Sequence, residues 1–227
     1  MTNSLPPQPE AAPRGGRLLS AAELLFGAAL VLGHNVWRVL PNEVPLLFVL
    51  GLASYRLRSG GFAAIGFRRP PSWMRLLAIA LGAAALRIAL GIVVEPLAES
   101  IWPPIVAPSG AEAIASDPWT ALRWLGLVWT WAAFGEEIGY RGWLLGRAAD
   151  ALGRSPAATA FAVAASSVLF GFGHFYKGPA GVLDSGIAGL VLAGAFLLAR
   201  RNLWAPILAH GFIDTFGIAA LYFGWAD

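Results

Sequence analysis

Long uncharged apolar stretches alternate along the chain with short turns rich in Arg, Pro, Gly and acidic residues. The apolar runs cover roughly residues 18–40, 44–57, 73–97, 119–147, 156–175, 180–199 and 203–224. A helix crossing a bilayer needs about 20 mainly apolar residues, so the pattern predicts an all-α, polytopic transmembrane helix bundle of about seven spans. The run at 44–57 is short for a crossing and can be tilted or re-entrant, which widens the range to about six to eight spans. Residues 1–17 carry four Pro and no apolar period, as expected of a disordered cytoplasmic tail. Residues 18–227 are then a single membrane-embedded helical domain. The first run is too long for the core of a signal peptide and lacks a convincing cleavage site, so it is expected to be a retained span.

Composition agrees with the pattern. Apolar residues make up 57% of the chain and charged residues 13%, where a soluble domain has about a quarter charged. The lipid bilayer is the matching solvent. No Cys is present, which excludes disulfides, thiolate zinc sites, Cys nucleophiles and palmitoylation at Cys. All basic residues but Lys177 are Arg, and they gather at the ends of apolar runs rather than on one solvated face, so no nucleic-acid partner is expected.

Short cytoplasmic loops hold the excess of Lys and Arg. Arg56, Arg58, Arg68, Arg69 and Arg75 mark one such turn, Arg147 with Arg154 a second, and Arg200 with Arg201 a third. The connection at 98–118 has Glu99, Glu112 and Asp117 and no basic residue. The alternation places the N-terminus inside and the C-terminus outside. The bias to Arg, Ala and Gly suits a GC-rich bacterial genome, which makes a bacterial inner membrane the expected location and an endoplasmic reticulum membrane the runner-up.

Polar residues inside the spans are the informative ones, since a charge in hydrocarbon costs at least a few kcal/mol unless it has a partner. The run LGLVWTWAAFGEEIGYRGWLLGRAAD sets Glu136 and Glu137 about 16 Å from Arg147 on an α-helical rise. Glu137 and Arg141 stand four apart, so an ion pair can neutralise one acid. Glu136 is left over. His174 follows Phe170 by four residues, and His210 precedes Asp214 by four on the last apolar run. Two imidazoles and two acids on three helices can meet inside a bundle.

A carboxylate beside an imidazole suits a general base that activates water, and Glu136 with His174 fits that part. A second imidazole, His210, oriented by the acid one turn away, can donate to the oxyanion of a tetrahedral intermediate. Alternatively Glu136, His174, His210 and Asp214 can together ligate a divalent metal such as Zn²⁺. That reading is the weaker, because neither His174 nor His210 is followed by Glu in an HExxH pairing. The GxSxG elbow and the GxGD aspartyl motif do not occur, and GFGHFYKG matches neither dinucleotide fingerprint nor P-loop. Ser166 and Ser167 read as small packing residues.

These residues resemble the motifs of the CPBP intramembrane proteases, the family of the type 2 CAAX prenyl endopeptidases and the bacterial Abi-type immunity proteins. Its EExxxR looks like Glu136, Glu137 and Arg141, its FxxxH like Phe170 and His174, and its HxxxN/D like His210 and Asp214. The resemblance covers about residues 119–217. It implies a peptide-bond hydrolase within the bilayer, opening toward the cytoplasm and acting on a peptide or protein substrate, lipidated or not. Glu136 and His174 would activate water; His210 and Asp214 would be the oxyanion donors, with Glu137, Arg141 and Phe170 in support. An ionised Asp214 cannot donate, so it would have to be protonated or orient His210. The CAAX specificity itself does not carry over. Two rival readings are a noncatalytic immunity or scaffold member of the family and a proton-coupled transporter using Glu136, His174 and His210 as a relay.

One distance opposes the picture. Counted along a straight helix from Pro156, His174 lies about 27 Å in, and His210 lies about 12 Å from Asn202. Other residues are expected to be structural. Arg87 and Glu23 should pair across helices, with each other as one option, and His34 should be an inert interfacial group. Asp184 should be solvated, and Lys177 should cap its turn. Trp37, Trp102, Trp119, Trp204 and Trp225 should form an interfacial belt.

Overall fold

The structure is a computed structural model that describes residues 14–103 and 111–225. Among these residues there is no strand, and the chain is a polytopic helical bundle. Every predicted apolar run appears as a helix. They are α1 (Gly16–Asn35), α2 (Glu43–Arg58), the single turn α3 (Phe62–Ile65), α4 (Trp73–Ile101), the short α5 (Ala111–Ser116), α6 (Pro118–Leu127), α7 (Leu145–Leu152), α8 (Pro156–Phe172), α9 (Gly178–Leu198) and α10 (Trp204–Phe223). Between α6 and α7 the backbone does not break; it widens into two π-helical segments, Val128–Glu136 and Ile138–Leu144. The expected tail at 1–17 lies outside the described residues as far as residue 13, and α1 already begins at Gly16.

Local chemistry sets the helix starts. Asn42, Ser72, Asp117 and Ser155 each accept a hydrogen bond from a backbone N–H of the first turn of α2, α4, α6 and α8. Such caps satisfy donors that have no partner inside the helix. Pro118 and Pro156 follow two of them at the first helical position, where a missing N–H costs nothing. The first run ends earlier than its hydropathy suggests. Val36 and Trp37 both donate to Leu32 O and Val39 donates to Gly33 O, so the chain turns after Asn35.

Four helices, α1, α4, α10 and the stretch Phe175–Leu198, are long and apolar enough to cross a membrane. In α4 the inward positions include the small Ala80 and Ala84, while Leu81, Leu86, Ile92 and Val93 face outward. A helix with its large apolar side chains outward has lipid as its natural surroundings. The 118–152 stretch is the axis of the fold. Tyr140, Trp143, Leu144 and Leu145 are fully buried there, with α2 against the second π segment, α1 and α8 against α7, and α10 against the first π segment. Close approach of α2 depends on glycine: a Cβ on Gly139 would lie 2.8 Å from Leu47 Cβ, and one on Gly135 would lie 2.8 Å from Val44 Cγ1.

The arginine-bearing turns gather at one pole. Arg14 N donates to Arg58 O, Arg68 donates to Arg200 O, and Asn202 Nδ2 donates to Arg68 O at 2.9 Å. Arg147, read as a turn residue, is fully buried: it meets Glu23 Oε2 at 2.8 Å and Asp150 Oδ2 at 2.9 Å, and its guanidinium lies 4.2 Å from the centroid of the Tyr55 ring. Arg58 also meets Glu23 at 2.8 Å. Glu23 therefore pairs with α2 and α7, not with Arg87. Arg87 instead pairs with Asp184 across α4 and α9, so Asp184 is an ion-pair partner rather than a solvated group. In both cases the partner is set by which helices adjoin. Lys177 Nζ lies 5.8 Å from the Tyr176 ring centroid and makes no side-chain cap. Trp37, Trp102, Trp119 and Trp225 are exposed near helix ends, whereas Trp204 packs against Phe67, Trp73 and Phe134.

Candidate active site

The EEIGYR run falls where the axial helix is widest. Glu136 closes the first π segment and Arg141 lies in the second. Such insertions often mark functional positions. Glu137 and Arg141 are fully buried; Arg141 Nη1 donates to Glu137 Oε1 at 2.7 Å, Nη2 donates to Gly189 O at 3.3 Å, and the guanidinium stands 4.2 Å from the Phe170 ring centroid. The ion pair expected from the spacing is present, and its hydrogen bonds help offset the cost of burying both charges.

His210 joins the same acid from α10. Its Nδ1 lies 2.8 Å from Glu137 Oε1, and because a carboxylate can only accept, Nδ1 is the donor. Its Nε2 lies 3.6 Å from Asp214 Oδ2, beyond hydrogen-bond length. The hydrogen bond that orients His210 thus comes from Glu137, a long-range partner, and not from Asp214 one turn away. Gly211 lets α10 lie against the Trp129 ring, where a Cβ would sit 2.4 Å away, and Trp129 Nε1 donates to Thr215 Oγ1 at 3.1 Å.

His174 lies just beyond α8, which stops at Phe172. Its Nδ1 is 2.9 Å from Phe170 O; a carbonyl only accepts, so Nδ1 carries the proton and Nε2 keeps its lone pair. The Phe170 ring is 4.9 Å from the His174 ring and 6.0 Å from the His210 ring, centroid to centroid. His174 is carried by a turn after the helix rather than by a straight helix running on to residue 175, and both imidazoles flank the Phe170 ring despite their different distances along α8 and α10.

Glu136 and His174 line one cavity of about 440 Å³, together with His34, Glu43, Trp124 and Trp131. Glu136 Oε2 is buried and has no hydrogen-bond partner among the described residues. A native buried oxygen without a partner needs a reason. Neither His210 nor Asp214 lines this cavity: His210 is joined to Glu137, the residue after Glu136, and Asp214 lies against His210.

Two lining residues escaped the sequence reading. Glu43 is only 4% exposed: Asn35 Nδ2 donates to its Oε1 at 2.8 Å, and His34 Nε2 is 3.6 Å from its Oε2. His34, expected to be inert at the interface, is part of this wall. Glu43 sits one residue after the cap Asn42, so it reads as an ordinary exposed acid in a helix first turn. Only the packing of the end of α1 encloses it.

Among the described residues, no group of three His, Asp or Glu side chains is placed to hold a metal ion. Glu137 Oε1 is engaged by Arg141 and His210, and each imidazole is held through Nδ1, which leaves Nε2 as its available ring atom. Glu136, His174, His210 and Asp214 do not form such a group in this arrangement.

Residues 118–216 match the family model described as type II CAAX prenyl endopeptidase Rce1-like. Over those residues the chain is similar to that family. The matched segment holds the axial helix, α8, α9 and most of α10, and so contains Glu136, Glu137, Arg141, Phe170, His174, His210 and Asp214. No curated protein and no solved structure matches the chain in the comparisons made. With its apolar helices and this likeness to a membrane family, the chain is an integral membrane protein.

Proposed function

We propose that this chain is an intramembrane endopeptidase in which Glu136 activates water against a peptide carbonyl. The observation that carries the reading is the Glu136 carboxylate itself. One of its oxygens is buried without a partner among the described residues, and Glu136 lines a cavity with His174, whose Nδ1 is held by Phe170 O so that Nε2 is the acceptor of that ring. Water is the molecule that such a pair of acceptors holds, and a positioned carboxylate is the group that can take its proton.

The steps balance simply. A water hydrogen-bonded by Glu136 and His174 attacks the carbonyl carbon, forming a C–O bond while its proton passes to Glu136. The carbonyl oxygen becomes an oxyanion, to which His210 donates from Nε2 in its doubly protonated form; Glu137 fixes that ring through Nδ1. Glu136 then returns the proton to the amide nitrogen, the C–N bond breaks, and a carboxylic acid and an amine leave. Asp214 is a positioning residue for the His210 Nε2 side. The substrate is a peptide or protein segment, and the protein resides in a bacterial inner membrane with the start of α1 on the cytoplasmic side.

The test is a peptide library offered to the purified protein in detergent, in water enriched in ¹⁸O. The expected result is cleavage that places one solvent oxygen in each new carboxyl group. Absence of cleavage, with proton flux appearing in sealed vesicles, would replace the hydrolase with a transporter; absence of both would favour a noncatalytic scaffold.

A further inference from the structure

The catalytic cavity opens at the pole opposite the arginines. Its walls come from the end of α1 (His34, Asn35), the start of α2 (Asn42, Glu43) and the turn after α8 (Gly173, His174). The other ends of those helices meet at the arginine pole, where Arg14 reaches Arg58 and Arg17 lies against Gly153, three residues before α8 begins. Helix direction therefore separates the two features by the length of the bundle. The 17 residues of α8 alone span about 26 Å.

The charge division is lopsided. Of the 16 basic residues, Arg14, Arg17, Arg56, Arg58, Arg68, Arg69, Arg75, Arg147, Arg154, Arg200 and Arg201 belong to the arginine pole. Arg87 and Arg141 lie within the bundle, which leaves Arg38, Arg123 and Lys177 at the cavity pole. Eleven against three is a strong bias of the kind that fixes orientation, and the richer side stays in the cytoplasm. An arginine-rich cytoplasmic side and a cavity opening toward the cytoplasm, both expected from the sequence, exclude each other on this geometry.

We infer that the cavity is filled from the face of the membrane away from the cytoplasm, so that the bond it cuts belongs to a peptide segment presented on that face. This rests on the peptidase reading for the word "cuts", while the sidedness of the cavity stands on the helix ends and charges alone. His34, Asn42, Glu43, Trp124 and Tyr176 are then the first side chains such a segment meets. On the arginine side of Glu136 the axial helix is tightly packed among the described residues, with Tyr140, Trp143 and Leu144 buried.

The absence of native Cys makes the test direct. Three single-cysteine variants, Val39→Cys beside the cavity, Ala132→Cys on its wall and Arg69→Cys at the arginine pole, are probed in intact cells with a membrane-impermeant maleimide. Val39 and Arg69 are both exposed, so either cysteine can react from its own side. The inference expects Val39→Cys and Ala132→Cys to label from outside and Arg69→Cys to label after permeabilisation alone. The reverse pattern overturns it, and Val39→Cys against Arg69→Cys decides the matter even if Ala132→Cys fails to fold. A membrane-impermeant fluorogenic peptide library is then added to right-side-out and inside-out vesicles of the unaltered protein. Cleavage in the right-side-out preparation alone supports the inference, and cleavage in the inside-out preparation alone overturns it. The expected labelling with no cleavage on either side retires the peptidase reading and leaves the cavity's sidedness established.

Discussion

His210 Nδ1 stands 2.8 Å from Glu137 Oε1, the same oxygen that Arg141 Nη1 reaches at 2.7 Å. One buried carboxylate oxygen thereby joins a guanidinium one helical turn away to an imidazole from another helix. Glu136 and Glu137 are neighbours in sequence with different surroundings: Glu137 Oε1 takes two donors while its Oε2 has none, and Glu136, which lines the cavity, has an Oε2 without a partner among the described residues.

Glu137→Gln should damage the scaffold as well as the chemistry. Losing the charge leaves Arg141 buried without its counter-ion, and breaking a buried pair in this way costs about 3–5 kcal/mol. Thermal unfolding in detergent should show a clearly lowered midpoint, and peptide cleavage should fall at least about tenfold as His210 loses its anchor. An unchanged midpoint would mean that the shared oxygen does not hold these helices together.

Asp214→Asn should be tolerated. Asp214 contacts His210 at 3.6 Å, without a hydrogen bond that only a carboxylate could accept. Cleavage is expected to stay within a few-fold of the parent for Asn and to drop by about tenfold or more for Leu, which can neither donate nor accept. Equal losses for Asn and Leu would show that the negative charge itself is required.

Chelation should leave activity intact. Among the described residues no three His, Asp or Glu side chains are grouped so as to hold a metal ion. Dialysis against EDTA followed by the peptide assay should give the untreated rate. Loss of cleavage restored by added Zn²⁺ would overturn the arrangement drawn here.

Gly139→Val should loosen the π segment from α2. The first added carbon meets Leu47 Cβ at 2.8 Å, and overpacking of this kind costs about 1–3 kcal/mol. The unfolding midpoint should fall for Gly139→Val and recover in part when Leu47→Ala makes room. Additive losses in the double variant would place the strain elsewhere.

Much of this arrangement follows from spacing. Four-residue intervals bring Glu137 to Arg141, Phe170 to His174 and His210 to Asp214, and the apolar runs match the helices. What spacing does not contain is adjacency. The widened axial helix lies against α2 where Gly135 and Gly139 meet Val44 and Leu47. Glu43 and His34 join the cavity because the end of α1 folds over the start of α2. Glu23 and Asp184 find their arginines on helices far away in sequence, and Arg147 is buried because Glu23, Ser54 and the Tyr55 ring all reach it. Each of these depends on which helices become neighbours, which local periodicity does not encode.

The most direct measurement is the single-turnover cleavage rate of Glu136→Gln, with its unfolding midpoint recorded beside it. The amide keeps the shape of the side chain and removes the base. The rate should fall by about 10²–10⁴ while the midpoint stays at the parent value. A Glu136→Gln protein that folds normally and cleaves at the parent rate would contradict the account.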